Sequence, residues 1–258
     1  KKMNTKQFLS DILDEFNKID YVKPEDIPNI DLYMDQVTTF MDTHLGATRR
    51  YDDDKILTKT MINNYAKNDL LPPPEKKKYS KEHVLTLIFI YYFKSILSIS
   101  DIQSILNPIT DRYFGKGSSE MSLEDIYKEV FGLEHQETLN IMKDLAKKFN
   151  TSMKTFEGME GEDAELLRTF SFICMLSYDV YLKKTIIERI VDQMLHEEKD
   201  PSKKEKKNPV LNGTLSIPDM IRAAPGFSFF PGFSILFYAS FVSDAAILAN
   251  TMSYPSFP

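Results

Sequence analysis

The sequence predicts an all-α fold with one short β element. Apolar residues recur at helical spacing in nearly every segment up to about residue 200. Several of these segments begin at a Ser or Thr that can cap a helix. Three consecutive prolines at 72–74 interrupt the pattern, because proline lacks the amide hydrogen that a helix or a central strand needs. The chain is therefore expected to be a series of helices with one extended connector.

Three helices are expected before the three prolines. The first is amphipathic and lies within residues 1–28, the second covers 32–45, and the third is short and runs from 58 to about 68. Thr58 can cap the third helix, since its hydroxyl can accept a hydrogen bond from a free backbone N–H. The buried side of this helix is expected to consist of Met61, Ile62 and Tyr65.

The residues after the prolines predict a small exposed hairpin and two more helices. Glu75–Tyr79 is short, basic and bounded by turn residues, as a hairpin or wing would be. Ser80 opens a helix to about Leu97 that is apolar nearly all round, which indicates burial on several sides. Ser98 and Asp101 form a capping box for the next helix, which is expected to stop at Asn107-Pro108.

Three helices are expected in the next part of the chain. One begins at Ser122, one covers 135–149, and a long one runs from 162 to 198 with a wide apolar surface. A face of that kind needs a partner, so the long helix is expected to join a homodimer. The helix at 135–149 is expected to turn four side chains inward, namely Leu139, Met142, Leu145 and Ala146.

The last segment, residues 208–258, differs sharply in composition. It is rich in Phe, Pro, Gly and Ser, and residues 223–243 carry no charge. We expect it to pack on the helical body or on a partner, while a membrane-associated segment and a disordered extension remain alternatives. Its prolines and glycines weaken the membrane interpretation, so no membrane span is favoured.

Charge is distributed unevenly along the chain. The formal net charge is −6, which argues against a protein that coats nucleic acid along its whole surface. Residues 49–98, however, carry ten Lys or Arg against six Asp or Glu, for a net charge of +4. Residues 119–200 carry ten against eighteen, for a net charge of −8. Any nucleic-acid interface is therefore confined to one basic face.

Signals of catalysis and of metal binding are weak. The four histidines are scattered singly, the chain has one cysteine, and no glycine-rich phosphate loop occurs. Cys174 lies among apolar residues, which predicts a buried and inert thiol. The chain is expected not to be an enzyme and to hold no cofactor or metal. A single cysteine also fits a reducing compartment, so a cytoplasmic location is predicted.

The basic segment combines a helix with polar outward residues, an extended basic tip and a buried helix, in that order. Asparagine is suited to read adenine, lysine to contact guanine or phosphate, and a lysine-rich tip to contact phosphates of any sequence. These properties predict a DNA-binding surface. Its candidate residues are Lys59, Thr60, Asn63, Asn64, Lys67, Lys76, Lys77, Lys78 and Tyr79.

Four stretches of this segment resemble the DNA-binding domain of MerR-type regulators. They are Leu57–Tyr65, Leu70–Pro74, Tyr79–His83 and Ile96–Ile102. The wider region, from Ile30 onward and covering roughly 25–200, resembles an uncharacterised bacterial family with a MerR-like winged helix and no assigned biochemical role.

The resemblance implies a recognition helix that begins at Thr58 and a wing that closes at Tyr79. Asn63 stands where MerR-type proteins usually place an arginine, and the lysine run replaces their Gly-Tyr-Arg wing. The acidic run Asp52–Asp54 would oppose phosphate binding if it lies near this surface. The resemblance thus implies a winged helix-turn-helix fold with a modified reading surface.

The predicted organisation therefore has four parts. These are an N-terminal helix at 1–28, a MerR-like winged-helix domain at 29–110, an acidic helical domain at 119–200 that dimerises, and an apolar tail at 208–258. The expected function is sequence-specific binding of double-stranded DNA, and hence transcriptional regulation. The alternative is a protein-interaction or scaffold module that uses the winged helix without DNA. A small-molecule sensor is a third class, and it requires an apolar pocket near Tyr178 and Tyr181.

Overall fold

The computed structural model describes residues 21–115 and 121–199, together with Gln7, Ser10–Ile12 and Asp14. The helix expected within 1–28 falls partly, and the tail at 208–258 entirely, outside the described residues. Within residues 21–199 the chain is mostly helical, with a small two-stranded antiparallel sheet. The helices are α1 (Met34–Leu45), α2 (Lys59–Lys67), α3 (Lys81–Phe93), α4 (Ile99–Tyr113), α5 (Leu123–Gly132), α6 (Glu134–Ser152) and α7 (Glu162–Lys199). The strands are β1 (Leu32–Tyr33) and β2 (Lys78–Tyr79), and short 3-10 turns cover Pro24–Asp26 and Gly46–Thr48.

Helix α3 lies at the centre of the core. Every residue from His83 to Ile90 is buried, which confirms the prediction of a helix covered on several sides. The sequence predicts that this helix extends to about Leu97, but in the structure it ends at Phe93. Leu97 N–H donates to Phe93 O at 2.9 Å, so a turn folds the Leu97 side chain back into the core before α4 begins.

Helix α4 continues through Pro108, so the predicted stop at Asn107-Pro108 is wrong. Leu106 and Thr110, on either side of the proline, are both buried. The Thr110 hydroxyl donates to the carbonyls of Leu106 and Asn107, each at 3.2 Å. Burial on both sides of Pro108, where α4 packs on its neighbours, offsets the backbone hydrogen bond that the proline removes.

The two-stranded sheet joins residues that are far apart in sequence. β1 and β2 are antiparallel, with Leu32 opposite Tyr79 and Tyr33 opposite Lys78. β2 follows directly from the turn that begins at Glu75. The basic tip therefore does form a small hairpin-like element, whose second strand pairs with the residues that precede α1.

Helix α5 joins the C-terminal helices to the same core. Tyr127 Oη donates to Val22 O at 2.7 Å, and the Tyr127 ring lies 5.5 Å from that of Phe89 in α3. Ser122 caps α5 as predicted, since its hydroxyl accepts the backbone N–H of Asp125 at 3.1 Å. Helices α3 and α5 are therefore packed together.

Helix α6 is less buried than its pattern predicts. Leu139 was expected to face inward, but 47% of it is exposed. Met142, Leu145 and Ala146 are half-buried. The main apolar contact of this helix is at its other end, where the Phe149 ring meets Phe172 of α7 edge to face at 5.4 Å. Periodicity identified the apolar face of α6, but the neighbouring helix covers only its C-terminal part.

The apolar surface of helix α7 is also only partly covered by neighbouring helices. Val191 and Phe172 are buried, and Ile187 packs against the core. Cys174, however, is exposed, so the predicted burial of its thiol is wrong. Tyr178 and Tyr181 are also exposed at the surface of α7 and do not line an enclosed pocket within the described residues. Much of the apolar surface of this helix is therefore in contact with solvent.

Candidate nucleic-acid interface

Helix α2 separates an apolar side from a polar side. The Thr58 hydroxyl accepts the backbone N–H of Met61 at 3.2 Å, which confirms the predicted cap, and Ile62 and Tyr65 are buried. The helix itself contains no Asp or Glu. Five of the candidate residues are exposed on its outer side at spacings of about one turn. They are Lys59, Thr60, Asn63, Asn64 and Lys67.

The turn that precedes β2 presents two of the lysines. Lys78 N–H donates to Glu75 O at 2.9 Å, and Lys76 and Lys77 have φ values of 50° and 65°. Two successive residues with positive φ are the signature of a type I′ turn. Both lysines are exposed, and within the described residues neither makes an ion pair. The turn therefore carries two exposed positive charges on a tight backbone.

The start of α2 and the turn converge on the junction between β1 and α1. Lys59 Nζ is paired with the carboxylate of Asp35, in the first turn of α1. Lys78 Nζ lies 5.4 Å from the centre of the Tyr33 ring, two residues earlier. Tyr33 N–H donates to Gln36 Oε1 at 2.8 Å, which fixes the backbone at this junction. Two separate segments of the candidate surface are thus held by one short stretch of chain.

Tyr79 does not lie on the exposed surface with the other candidates. Only 2% of this residue is exposed, and its ring packs edge to face on the His83 ring at 5.4 Å. Burial raises the pKa of the Tyr79 phenol. Its place opposite Leu32 in the sheet turns the side chain into the core. The assignment of Tyr79 to the DNA-contacting set is therefore corrected, and we assign it to the support beneath the turn.

His83 is a second support residue, and no strong signal in the sequence pointed to it. It is 4% exposed, and its Nδ1 accepts the backbone N–H of Ser80 at 2.9 Å, so it completes the cap of α3. Its ring also packs on Phe114 at 4.7 Å. Burial lowers the pKa of His83, while the carbonyls of Pro73 and Pro72 and the charge of Asp31 act in the opposite direction. The only sequence signal was its position three residues after a capping serine.

The connection between α1 and α2 departs from a compact helix-turn-helix. It covers residues 46–58, whereas the usual connection in such motifs is a turn of about three or four residues. Lys94 Nζ donates to Ile56 O at 2.6 Å, and Arg49 pairs with Asp42 at 2.7 Å. The acidic run Asp52–Asp54 is exposed. These contacts fix the two ends of the connection to the core and leave its acidic part in solvent.

Two further properties concern the described part of the chain. There, His, Cys, Asp and Glu side chains form no group of three or more that would hold a metal ion. The described helices also include none with an apolar stretch long enough to cross a bilayer. The apolar residues 223–243 lie outside the described residues.

The comparisons with known proteins concern the same region. A family model described as "Domain of unknown function (DUF1836)" matches residues 22–130, which include α1 to α4, both strands and most of α5. No curated protein and no solved structure matches the chain. Over residues 22–130 the chain is therefore similar to the DUF1836 family, whose function is unknown.

Proposed function

We propose that this chain binds double-stranded DNA in a sequence-specific manner and regulates transcription, with α2 as the recognition helix and the turn at Glu75–Lys78 as a wing. The observation that carries the proposal is the outer side of α2. Its five candidate side chains are all exposed, include two lysines and two asparagines, and contain no carboxylate. An exposed helix of this composition can enter a major groove and reach base edges.

Each part of the surface has a distinct expected role. Asn63 and Asn64 can donate to and accept from adenine through their amides, and Lys59 and Lys67 can reach guanine or phosphate. Lys76 and Lys77, on the tight turn, are suited to contact phosphates, which position the protein without reading sequence. The resemblance of Leu57–Tyr65 and Tyr79–His83 to MerR-type regulators supports the same roles.

The electrostatic balance limits how tightly such a surface binds. Asp35 neutralises part of the charge of Lys59, and the acidic run Asp52–Asp54 is exposed in the segment that leads into α2. The carboxylates of Asp35 and of the acidic run repel phosphates that lie within a Debye length, about 10 Å at 0.1 M salt. The proposal therefore implies moderate affinity for random DNA. Base contacts should then contribute a larger share of the binding free energy for the preferred sequence.

The proposal is tested by titrating the full chain with fluorescent genomic duplexes at several salt concentrations. Binding to phosphates releases counterions, so the logarithm of the association constant should fall linearly with the logarithm of salt concentration, by about 0.9 per phosphate contact. At least one duplex should bind on the order of a thousandfold more tightly than a random duplex of the same length. Absence of binding to every duplex at low salt would contradict the proposal.

A protein-interaction module is the second candidate function. It is favoured by large exposed side chains in the segments that flank α1 in sequence, namely Ile30, Tyr33 and Tyr51, together with the acidic run at 52–54. This candidate predicts no DNA binding at low salt and a stable complex with another protein. The titration described above therefore separates the two functions.

A further inference from the structure

Helix α7 carries an uncharged stripe along one side, over its N-terminal half. The stripe consists of Leu166, Phe170, Ile173, Ser177, Val180 and Tyr181, which recur at spacings that keep them within one face of the helix. Its five large side chains are each between 53% and 67% exposed. Helix α6 packs against a different side of α7, through Phe172. No described element covers the stripe.

The charged residues nearest to the two ends of the stripe have opposite signs. Glu162 and Asp163 are exposed at the N-terminal end. Lys184 lies in line with the stripe just beyond its C-terminal end, where it pairs with Glu188. A second α7 laid antiparallel along the stripe would meet these charges with the opposite sign at both ends. A parallel α7 would instead place the acidic ends together.

The spacing of the stripe is also self-complementary in the antiparallel direction. If a two-fold axis passes between Ile173 and Cys174, Leu166 lies opposite the partner copy's Tyr181, and Asp163 opposite its Lys184. Phe170 then faces Ser177, so a large side chain meets a small one. A two-fold interface requires this reciprocity, because each contact occurs twice.

The stripe can supply more than half of the area of an interface of ordinary size. Five large side chains with this exposure supply on the order of 500 Å² of apolar surface from each copy, against about 800 Å² per partner in a standard interface. Flanking atoms of α7 would supply the remainder. A patch of this extent lies toward the upper end of the largest apolar patch on a typical monomer, about 300–600 Å², and such patches often have a function.

We propose that the stripe binds the same stripe of a second copy of this chain, as an antiparallel two-fold dimer with its axis next to Cys174. The inference does not rest on DNA binding. If the chain does not dimerise, it can still bind DNA as a monomer. If it does not bind DNA, the dimer is unaffected.

The first test compares two isoleucines of α7 by analytical ultracentrifugation of the full chain. Ile173→Asp places a charge within the stripe, and Ile186→Asp is its matched control. The two isoleucines are 53% and 54% exposed, and they lie roughly 140° apart around the helix. Ile173→Asp should raise the dimer Kd by about tenfold or more, because it buries an unpaired charge at the centre of the interface, while the control leaves the Kd unchanged. A monomeric wild-type chain, or an equal effect of both variants, would overturn the proposal.

The second test determines the orientation of the two copies. Asp163→Lys and Lys184→Glu should each weaken the dimer several-fold, and the double variant should restore it, since opposite charges then face each other again. Circular dichroism checks that each variant keeps its helix content. A double variant no better than the single ones would contradict the antiparallel register.

Cys174 provides a third, independent readout. A short bismaleimide should link two copies through Cys174, because this residue lies next to the proposed axis and is exposed in one copy. Cross-linking should be lost in Ile173→Asp and kept in Ile186→Asp. A monomeric chain in which Cys174 resists alkylation would assign the stripe to another occupant and overturn the proposal.

Discussion

Lys78 Nζ lies 5.4 Å from the centre of the Tyr33 ring, and this cation–π contact holds the end of the basic turn against the residue that precedes α1. Two residues further on, Asp35 pairs with Lys59 at the start of α2. The proposed wing and the proposed recognition helix are therefore positioned by the same junction. Changes at this junction should affect both parts of the surface together.

At Lys76 and Lys77, two positive charges can be replaced by residues that fit the backbone conformation of the turn better. Both residues have positive φ, and Asn-Gly is the preferred pair in a type I′ turn. We expect Lys76→Asn/Lys77→Gly to keep or raise the melting temperature. The same variant should weaken DNA binding and lower the log–log salt slope by about 2, since two phosphate contacts are lost. Calorimetry and salt-dependent anisotropy measure the two effects. An unchanged slope would remove this turn from the contact set.

Asn63 is expected to read a base. Asn63→Ala should weaken binding to the preferred duplex by roughly tenfold to a hundredfold, because a good bidentate base contact contributes about 1–3 kcal/mol. Binding to random DNA should change little. Asn150→Ala is the matched control, since Asn150 is also an exposed asparagine on a helix but lies in α6. If both variants bind the preferred duplex like the wild type, α2 does not read sequence through Asn63.

Asp35 is expected to restrain DNA binding. Asp35→Asn removes one negative charge and releases Lys59, so affinity for DNA should rise a few-fold at low salt and the gain should shrink as salt is added. Stability should change by less than about 1 kcal/mol, because the ion pair is exposed. Asp144→Asn is the control, because it also removes one negative charge, but from α6. There Lys148 keeps its ion pair with Asp179 at 2.6 Å. Equal gains from both variants would indicate an effect of net charge alone.

His83 predicts a pH dependence of stability. Because burial lowers the pKa of His83 in the folded chain, the unfolded chain takes up the proton first, near its ordinary pKa of about 6.5. Stability from this residue is therefore fully present above that pH and is lost as the pH falls from there toward the lowered pKa of the folded state.

His83→Gln tests this assignment, because glutamine at the same position can still accept the Ser80 amide. Urea unfolding should show that the wild type loses more stability than the variant between about pH 7 and pH 5.5. The other three histidines are present in both proteins, so the difference isolates His83. Parallel pH profiles would show that His83 does not titrate on unfolding.

Local signals in the sequence predicted the helices well. Thr58, Ser98 and Ser122 each cap the helix that was expected to begin there, because a cap depends on residues only a few positions apart. The outer side of α2 could be predicted for the same reason, since its periodicity is contained in nine residues. Lys59, Thr60, Asn63, Asn64 and Lys67 all lie where the pattern placed them, on the exposed side.

Features that depend on distant residues were not predictable. The burial of Tyr79 follows from its pairing with Leu32, which no local pattern encodes. Helix α4 continues past Pro108 because Leu106 and Thr110 are both buried by the tertiary fold. Cys174 lies among apolar residues of α7 and is exposed. The helix has apolar residues on more than one side, and periodicity does not show which side packs against the rest of the chain. For Tyr79 and for α4 the deciding contacts come from another part of the chain, whereas Cys174 is left exposed.

The most direct test of the central claim is a selection of genomic fragments bound by the purified full chain, followed by sequencing, at two salt concentrations. We predict enrichment of one sequence motif by the wild type, and loss of that enrichment in Asn63→Ala but not in Asn150→Ala. A two-fold dimer would make the motif pseudo-palindromic. No enriched motif for the wild type, or the same motif for Asn63→Ala, would contradict sequence recognition by α2.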